Sequence, residues 1–255
     1  MTEGSGETTE DGFLGGQLRL RQPSSGHRAG HDAMLLAAAT PAQSGDRVVD
    51  FGAGVGAAGL ALAKRVPDIE LSLVEIDPVL AELARGNAAL NAIAATVIVL
   101  DATAAPDQFA AAGLSPDSVD VVLMNPPFND PARHRASPDS ARATAHVATV
   151  ASLADWVHAA RRVLKSQGAL TLIWRADGLA EVLSALDRGF GSLAILPVHG
   201  EAAAPAIRVL VRATKGGKAP IRMLGGLMLN DESAVPNKQL LDVLAGKAVL
   251  PLAVP

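Results

Sequence analysis

A glycine-rich segment carries the first residues whose types and spacing could do chemistry. Asp50 is followed by Gly52, Gly54 and Gly56, between a β-branched run and an alanine-rich run. Glycine lets the backbone approach a ligand closely, and the first turn of a following helix offers unpaired N–H groups and the positive end of its dipole. The segment is therefore predicted to hold the polar tail of a bound ligand.

The same glycines fit two classes of cofactor. Gly54, Gly56 and Gly59 satisfy the dinucleotide fingerprint. Gly52, Gly54 and Gly56 have the spacing that methyltransferases use in the same strand-turn-helix crevice. Because both spacings are present, this motif alone leaves the cofactor open.

Acidic residues close the next two predicted strands. Glu75 ends the second, where its carboxylate could accept both hydroxyls of a ribose; the alternative is a helix N-cap, which Asp77 before Pro78 fills better. Asp101 closes the third strand, where it could accept the amino group of an adenine ring or simply stabilise a turn. A ribose site and an adenine site are therefore predicted side by side.

The segment Asn125-Pro126-Pro127-Phe128 follows the fourth predicted strand. Two prolines fix an extended bend without N–H donors, so the Asn125 side chain and the Pro126 carbonyl can both accept hydrogen bonds from an amine. Phe128 offers a flat apolar face for stacking a base, a contact worth about 1–3 kcal/mol. The alternative is a proline-rich turn with a buried phenylalanine. The position of the Asn-Pro-Pro-Phe segment after a strand of a cofactor-binding sheet favours the first interpretation, a site that holds a planar amino group.

Alternating short β-branched runs and alanine- and leucine-rich stretches predict a parallel sheet with helices on both faces. The predicted strands are Arg47–Phe51, Glu70–Val74, Thr96–Leu100, Val119–Met124 and Ala169–Trp174. The predicted helices are Ala57–Lys64, Pro78–Asn91, Ser152–Leu164 and Leu179–Leu186. The runs Leu193–Val198 and Ala206–Ala213 predict an antiparallel hairpin at the sheet edge, and 125–146 reads as a long exposed loop.

Length and composition bound the classes of protein. The 255 residues suit one α/β domain over 12–255, preceded by an acidic, disordered tail over 1–11. With no cysteine, disulfides and thiolate chemistry are excluded, and the histidines show no metal-ligand spacing, so no metal is expected. No apolar run approaches the ~20 residues that span a bilayer, and the N-terminal residues lack the blocks of a signal peptide. We expect a cytoplasmic protein.

The net charge of −4 argues weakly against a nucleic-acid partner. Four acidic residues lie within the first eleven, and without them 22 acidic residues balance 22 basic ones. Local clusters then matter more than the total. Arg133, His134, Arg135 and Arg142 follow Phe128 closely, so they could meet RNA phosphates, or they could be ordinary solvated charge.

Together, the glycine turn, Glu75, Asp101 and Asn125–Phe128 resemble the class I S-adenosylmethionine-dependent methyltransferases that carry an Asn/Asp-Pro-Pro-aromatic motif. The resemblance covers roughly residues 12–174. Within that superfamily, the segments 13–23 and 26–36 are similar to the tRNA adenine N6-methyltransferases that modify the base beside the anticodon of a valine tRNA.

The resemblance implies a Rossmann-like α/β fold with a mostly parallel seven-stranded sheet, S-adenosylmethionine as cofactor and tRNA as partner. It also implies that Asp32 and its neighbours cap the methionine end of the cofactor, and that Asn125 and Phe128 receive the adenine. The reaction would be an in-line attack of the exocyclic amine on the sulfonium methyl, for which positioning can supply ~7–11 kcal/mol. A target base in a loop is the easiest to flip into such a pocket.

Three alternatives stay open. The first keeps the cofactor but methylates a glutamine side-chain amide of a protein, since Asn-Pro-Pro-aromatic motifs also serve that reaction. The second is a nicotinamide-dependent oxidoreductase built on Gly54, Gly56 and Gly59, which leaves Asn125–Phe128 unexplained. The third is a module that binds RNA or cofactor without turnover. The oligomeric state is open as well.

Overall fold

A computed structural model of the chain describes residues 7–25, 28–127, 151–201, 203–230 and 235–254. Within them, a nine-stranded sheet lies between two layers of helices, and a separate two-stranded hairpin precedes it in the chain. The predicted loop 125–146 lies outside the described residues from Phe128 onward.

The elements are as follows in chain order. The strands are β1 Thr8–Phe13, β2 Leu18–Pro23, β3 Arg47–Phe51, β4 Glu70–Glu75, β5 Ala95–Val99, β6 Val119–Met124, β7 Leu164–Arg175, β8 Phe190–His199, β9 Ala206–Lys215, β10 Arg222–Met223 and β11 Leu227–Met228. The α-helices are α1 His31–Ala39, α2 Ala57–Arg65, α3 Pro78–Leu90, α4 Pro106–Ala111, α5 Leu153–Val163, α6 Leu179–Leu186 and α7 Lys238–Leu244.

The strand order defines the type of α/β fold. It runs β5-β4-β3-β6-β7-β9-β8-β10, with β11 also pairing with β8. The strands from β5 to β7 are mutually parallel, whereas β9 is antiparallel to both of its neighbours. The expected mostly parallel sheet with an antiparallel hairpin near its edge is confirmed, and β10 and β11 extend it beyond the seven expected strands.

Both faces of the sheet are buried, as in other parallel sheets covered by helices. In β3, Val48 belongs to the apolar cluster beneath α1 and α2, while Val49 and Phe51 belong to the cluster beneath α5 and α6. This alternation follows from the two-residue period of a strand. Since Asp50 points to the same face as Val48, the acid at the end of β3 lies on the α1 and α2 side.

The expected disordered tail over 1–11 is wrong for residues 8–11, which form part of β1. β1 and β2 pair antiparallel, with Glu10 opposite Arg21. The Glu10 carboxylate accepts hydrogen bonds from Arg19 and Arg21, each at 3.2 Å. Glu10, one of the acidic residues that suggested a solvated tail, is instead the cross-strand partner of the arginines in β2.

The C-terminal segment packs against α1, a helix buried over seven consecutive residues, 33–39. The Leu250 N–H donates to the Ala38 carbonyl at 2.9 Å. Arg212 of β9 donates to the carbonyls of Leu252 and Val254, both at 2.7 Å. A helix that is apolar all round needs cover on every side, and the residues after 235 provide part of that cover.

Asn87 on α3 and Asn91, the C-cap residue directly after it, attach this helix to β2. The side chain of Asn87, which is 0% exposed, accepts from the Arg21 N–H at 2.7 Å and donates to the Arg21 carbonyl at 3.0 Å. It also donates to the Val55 carbonyl in the glycine turn at 3.0 Å. Asn91 makes the same pair of bonds with the backbone of Arg19. Asn87 thus holds the glycine turn and the hairpin to one helix.

We expect Asn87→Ala to lower the free energy of unfolding by about 2–4 kcal/mol, because buried backbone groups of Arg21 and Val55 would lose their partners. Asn91→Ala, whose bonds lie at the solvent-exposed end of the contact, should cost about 1 kcal/mol. Urea unfolding of the two variants and the wild type measures both values. Equal losses would contradict the special role of Asn87.

Candidate active site

Four predicted site residues follow four neighbouring strands at the same edge of the sheet. Gly52 follows β3, Glu75 ends β4, Asp101 lies two residues after β5, and Asn125 follows β6. Because these strands are parallel and adjacent, their carboxyl ends meet, and ligands of open α/β sheets bind there.

The glycine turn needs backbone conformations that favour glycine. Gly52, Gly54 and Gly56 have φ values of 66°, 56° and 86°. A Cβ atom on Gly52 would also lie 2.6 Å from Cη2 of Trp156 on α5. Trp156 is buried and packs against the turn.

Glu75 holds the glycine turn in place. One carboxylate oxygen accepts the Gly54 N–H at 2.7 Å, and the other accepts the Asp77 N–H at 2.9 Å. Asp77 itself is the N-cap of α3, as predicted, and accepts from the Val79 N–H at 2.7 Å. A carboxylate has about four acceptor positions, so these two bonds are compatible with the ribose contacts predicted for Glu75.

Asp50 lies behind the turn and is only 2% exposed. Burial raises the pKa of Asp50 to about 7, with a smaller contribution from the nearby negative charge of Glu75, while the hydrogen bond from the Gly59 N–H opposes the rise. That bond is 2.8 Å long, and a Cβ on Gly59 would meet Leu73 at 2.5 Å. Gly59 therefore serves close packing of α2 against the sheet.

A cavity of about 500 Å³ joins several of these residues. Its lining includes five predicted site residues, namely Asp32, Asp50, Gly52, Gly54 and Asn125. Pro126 is buried and Pro127 is exposed. Phe128 and the predicted RNA contacts Arg133, Arg135 and Arg142 lie outside the described residues. The described part of the cavity thus brings the glycine turn and Asn125 together.

The side chain of Asp32, in the first turn of α1, forms an ion pair that the sequence did not reveal. Its carboxylate accepts from Nε of Arg208 at 2.9 Å. Arg208, which lies on β9, lines the same cavity. An arginine 176 residues away along the chain gives no sequence signal, because only the antiparallel placement of β9 brings it to this edge.

Asp101 stabilises a turn. One oxygen of its exposed carboxylate accepts from both the N–H and the hydroxyl of Thr103, at 2.7 and 2.8 Å. This is the turn role that the sequence left open as an alternative. Its contact with an adenine amino group stays a prediction.

Other parts of the described chain do not share this chemistry. A larger cavity of about 610 Å³ opens at the opposite, amino edge of the strands and is lined mainly by apolar residues with Arg47 and Glu70. None of the predicted site residues lines it. Among the described residues, no group of three or more His, Asp or Glu side chains is arranged to hold a metal ion, and no helix is long and apolar enough to cross a membrane.

Asp50 makes the stability of the fold depend on pH. Since its pKa is raised to about 7 from 3.8, the folded protein keeps a proton that the unfolded chain loses. The free energy of unfolding should therefore fall as pH rises from about 4 to about 7, and Asp50 should contribute at most ~4 kcal/mol to this fall. Above pH ~7 the contribution of Asp50 should no longer change with pH. Asp50→Asn should remove this decline. Denaturant unfolding of both proteins between pH 4.5 and 8 tests it; parallel pH profiles would rule it out.

Comparison with known proteins gives consistent results. The family model for the methyltransferase small domain matches residues 25–200. A Porphyromonas gingivalis protein named tRNA1(Val) (adenine(37)-N6)-methyltransferase is 29% identical over 65% of this chain and 66% of its own length. An Erwinia tasmaniensis protein of the same name is 29% identical over 79% of this chain and 80% of its own.

The solved structures agree on the fold. The crystal structure of an Agrobacterium tumefaciens protein, described as a predicted O-methyltransferase, is 31% identical with a TM-score of 0.71, and the match covers 86% of this chain and 98% of that one. The antiparallel β9 between β7 and β8 also departs from the parallel order of dinucleotide-binding sheets. The oxidoreductase alternative is therefore wrong. The chain belongs to the methyltransferase small domain family.

Proposed function

We propose that this methyltransferase transfers a methyl group to the exocyclic N6 of an adenine in tRNA, near the anticodon. The observation that carries the proposal is the shared cavity, in which Asn125 of the Asn-Pro-Pro-Phe segment lies with Gly52 and Gly54 of the cofactor turn. The names of the Porphyromonas and Erwinia relatives support adenine in tRNA as the acceptor. A cytoplasmic location stays a prediction.

The proposed cofactor contacts follow from the geometry of the turn. Gly54 has open space where a Cβ would stand and lines the cavity, so its backbone can meet a ligand. The donors and acceptors fit S-adenosylmethionine, with the Glu75 carboxylate for the ribose hydroxyls and the Asp32 carboxylate for the methionine ammonium. Asp101 would accept the adenine amino group, and Asp50 and Gly56 would support the turn.

S-adenosylmethionine supplies an electrophilic methyl group on a sulfonium. Asn125 and the Pro126 carbonyl would accept hydrogen bonds from the target amine, which holds the nitrogen in line with that methyl group. As these bonds form, the nitrogen lone pair is less delocalised into the ring, and positive charge developing on nitrogen is stabilised. Phe128 would stack on the base. No side chain needs to form a covalent bond with the substrate.

The name of the Agrobacterium structure refers to an oxygen acceptor. An Asn-Pro-Pro-aromatic segment favours nitrogen, because two acceptors facing the target suit an amine with two N–H donors better than a hydroxyl with one. The proposal therefore keeps the amino acceptor, and the product analysis below distinguishes the two atoms.

Glu75→Gln should weaken binding of S-adenosylmethionine at least tenfold. Glutamine has one acceptor oxygen, so it cannot hold the N–H groups of Gly54 and Asp77 and both ribose hydroxyls as the carboxylate can. Glu70→Gln is the matched control, because Glu70 begins the same strand at the opposite edge. Isothermal titration calorimetry measures both, and equal affinities of the two variants would refute the role given to Glu75.

Asn125→Ala should lower kcat for tRNA methylation about a hundredfold or more while cofactor affinity changes little, because the loss falls on stabilisation of the reacting amine. Asn125→Asp keeps an acceptor oxygen and should retain more activity. The assay follows labelled methyl transfer from S-adenosylmethionine to unmodified tRNA, with nucleoside analysis of the product.

N6-methyladenosine formed by the wild type alone supports the proposal. A ribose-methylated nucleoside in the product would show that the acceptor atom is an oxygen. Unlabelled RNA, from a protein that still binds the cofactor, would make protein glutamine amides the next acceptors to test.

A further inference from the structure

Two arginines stand at the carboxyl edge of the sheet, on the side of Asn125 away from Glu75 and Asp101. The strand order places β7 next to β6, and β9 next to β7. Arg175 ends β7, and Arg208 lies directly opposite it on β9. The cofactor side and the arginine side are thus separated by Asn125.

The arginines share a face of the sheet with Asn125. Leu123 of β6, Ile173 of β7 and Leu210 of β9 all belong to the apolar cluster beneath α1. Asn125 lies two positions after Leu123, Arg175 lies two positions after Ile173, and Arg208 lies two positions before Leu210. Because side chains two positions apart in a strand point to the same face, all three site residues are directed to the face that α1 covers. In the parallel register Met124 pairs with Leu172, which sets Arg175 two residues, or about 7 Å, beyond the level of Asn125.

Both guanidinium groups are oriented by carboxylates and remain in reach of solvent. Arg175 forms a bidentate pair with Asp177, at 2.9 and 2.6 Å, and its side chain is 37% exposed. Arg208 pairs with Asp32, and its side chain is 30% exposed. Arg175 and Arg208 face each other across the ladder of β7 and β9, so two guanidinium groups, each oriented by a carboxylate, stand side by side at this edge.

We propose that Arg175 and Arg208 bind the phosphates that flank the target nucleotide of the RNA. The inference rests on the proposed function. With the base beside Asn125 and the cofactor over β3 to β5, the sugar-phosphate chain leaves the cavity over β7 and β9. There it meets two planar guanidinium forks, the side chains best suited to hold phosphate oxygens.

The test measures KM and kcat for unmodified tRNA over a range of salt concentrations with Arg175→Ala, Arg208→Ala and the double variant. Each single change should raise KM for RNA roughly tenfold and reduce the slope of log affinity against log salt by about 0.7. The kcat at saturating RNA should change less than about twofold, since phosphate contacts position the substrate without touching the reacting atoms.

Two controls make the result specific. Arg85→Ala removes an arginine of similar exposure, 43%, that is ion-paired with Glu82 on α3, and it should leave KM for RNA and the salt slope unchanged. Because Arg208 contacts Asp32, cofactor affinity is measured for every variant. Arg208→Lys, which keeps the charge, should recover part of the RNA affinity.

If the wild type methylates RNA while both alanine variants match Arg85→Ala in KM and salt slope, the inference is overturned and the proposed function stands. A fall in kcat with unchanged KM would also overturn it. If the wild type leaves RNA unmethylated, the proposed function itself fails.

Discussion

The hydrogen bond from the Gly54 N–H to Glu75 is the interaction on which the site depends most. It joins the turn after β3 to the end of β4, so it fixes the segment proposed to bind the cofactor relative to the acid proposed to accept the ribose hydroxyls. Asn87 adds a second attachment through the Val55 carbonyl. A turn with three residues at positive φ has little local preference for one conformation, and these two side chains select it.

The same constraint has an electrostatic cost. Asp50 is buried behind the turn, and this burial favours the protonated carboxyl, with a smaller contribution from the negative charge of Glu75. The raised pKa of Asp50 favours a proton on this carboxyl, while the Glu75 side chain accepts the N–H groups of Gly54 and Asp77. A protonated Asp50 still accepts the Gly59 N–H, so the packing of α2 does not require a second buried charge.

The site was more predictable than its surroundings. The glycine turn, Glu75, the N-cap Asp77 and Asn125 follow strands whose β-branched runs are unambiguous, so local patterns located them. α1 was not predicted, because its sequence 33–39 is apolar without a helical period and its burial comes from distant segments. β1 was mistaken for a solvated tail because its partners lie in β2. Arg208 was missed for the same reason, since the contact with Asp32 exists only in the folded sheet.

The two ends of the described chain support the site through different helices, the C-terminal segment through α1 and the N-terminal hairpin through α3. Residues after 235 cover α1 from one side, through Leu250 and the carbonyls held by Arg212. The hairpin of β1 and β2 is attached to α3 and the glycine turn by Asn87. α1 in turn carries Asp32, which reaches β9 through Arg208. Asp32 thus lines the cavity together with the glycine turn and contacts Arg208 of β9, on the other side of Asn125. In the proposed cofactor complex, the Asp32 carboxylate would therefore be shared between the methionine ammonium and Arg208.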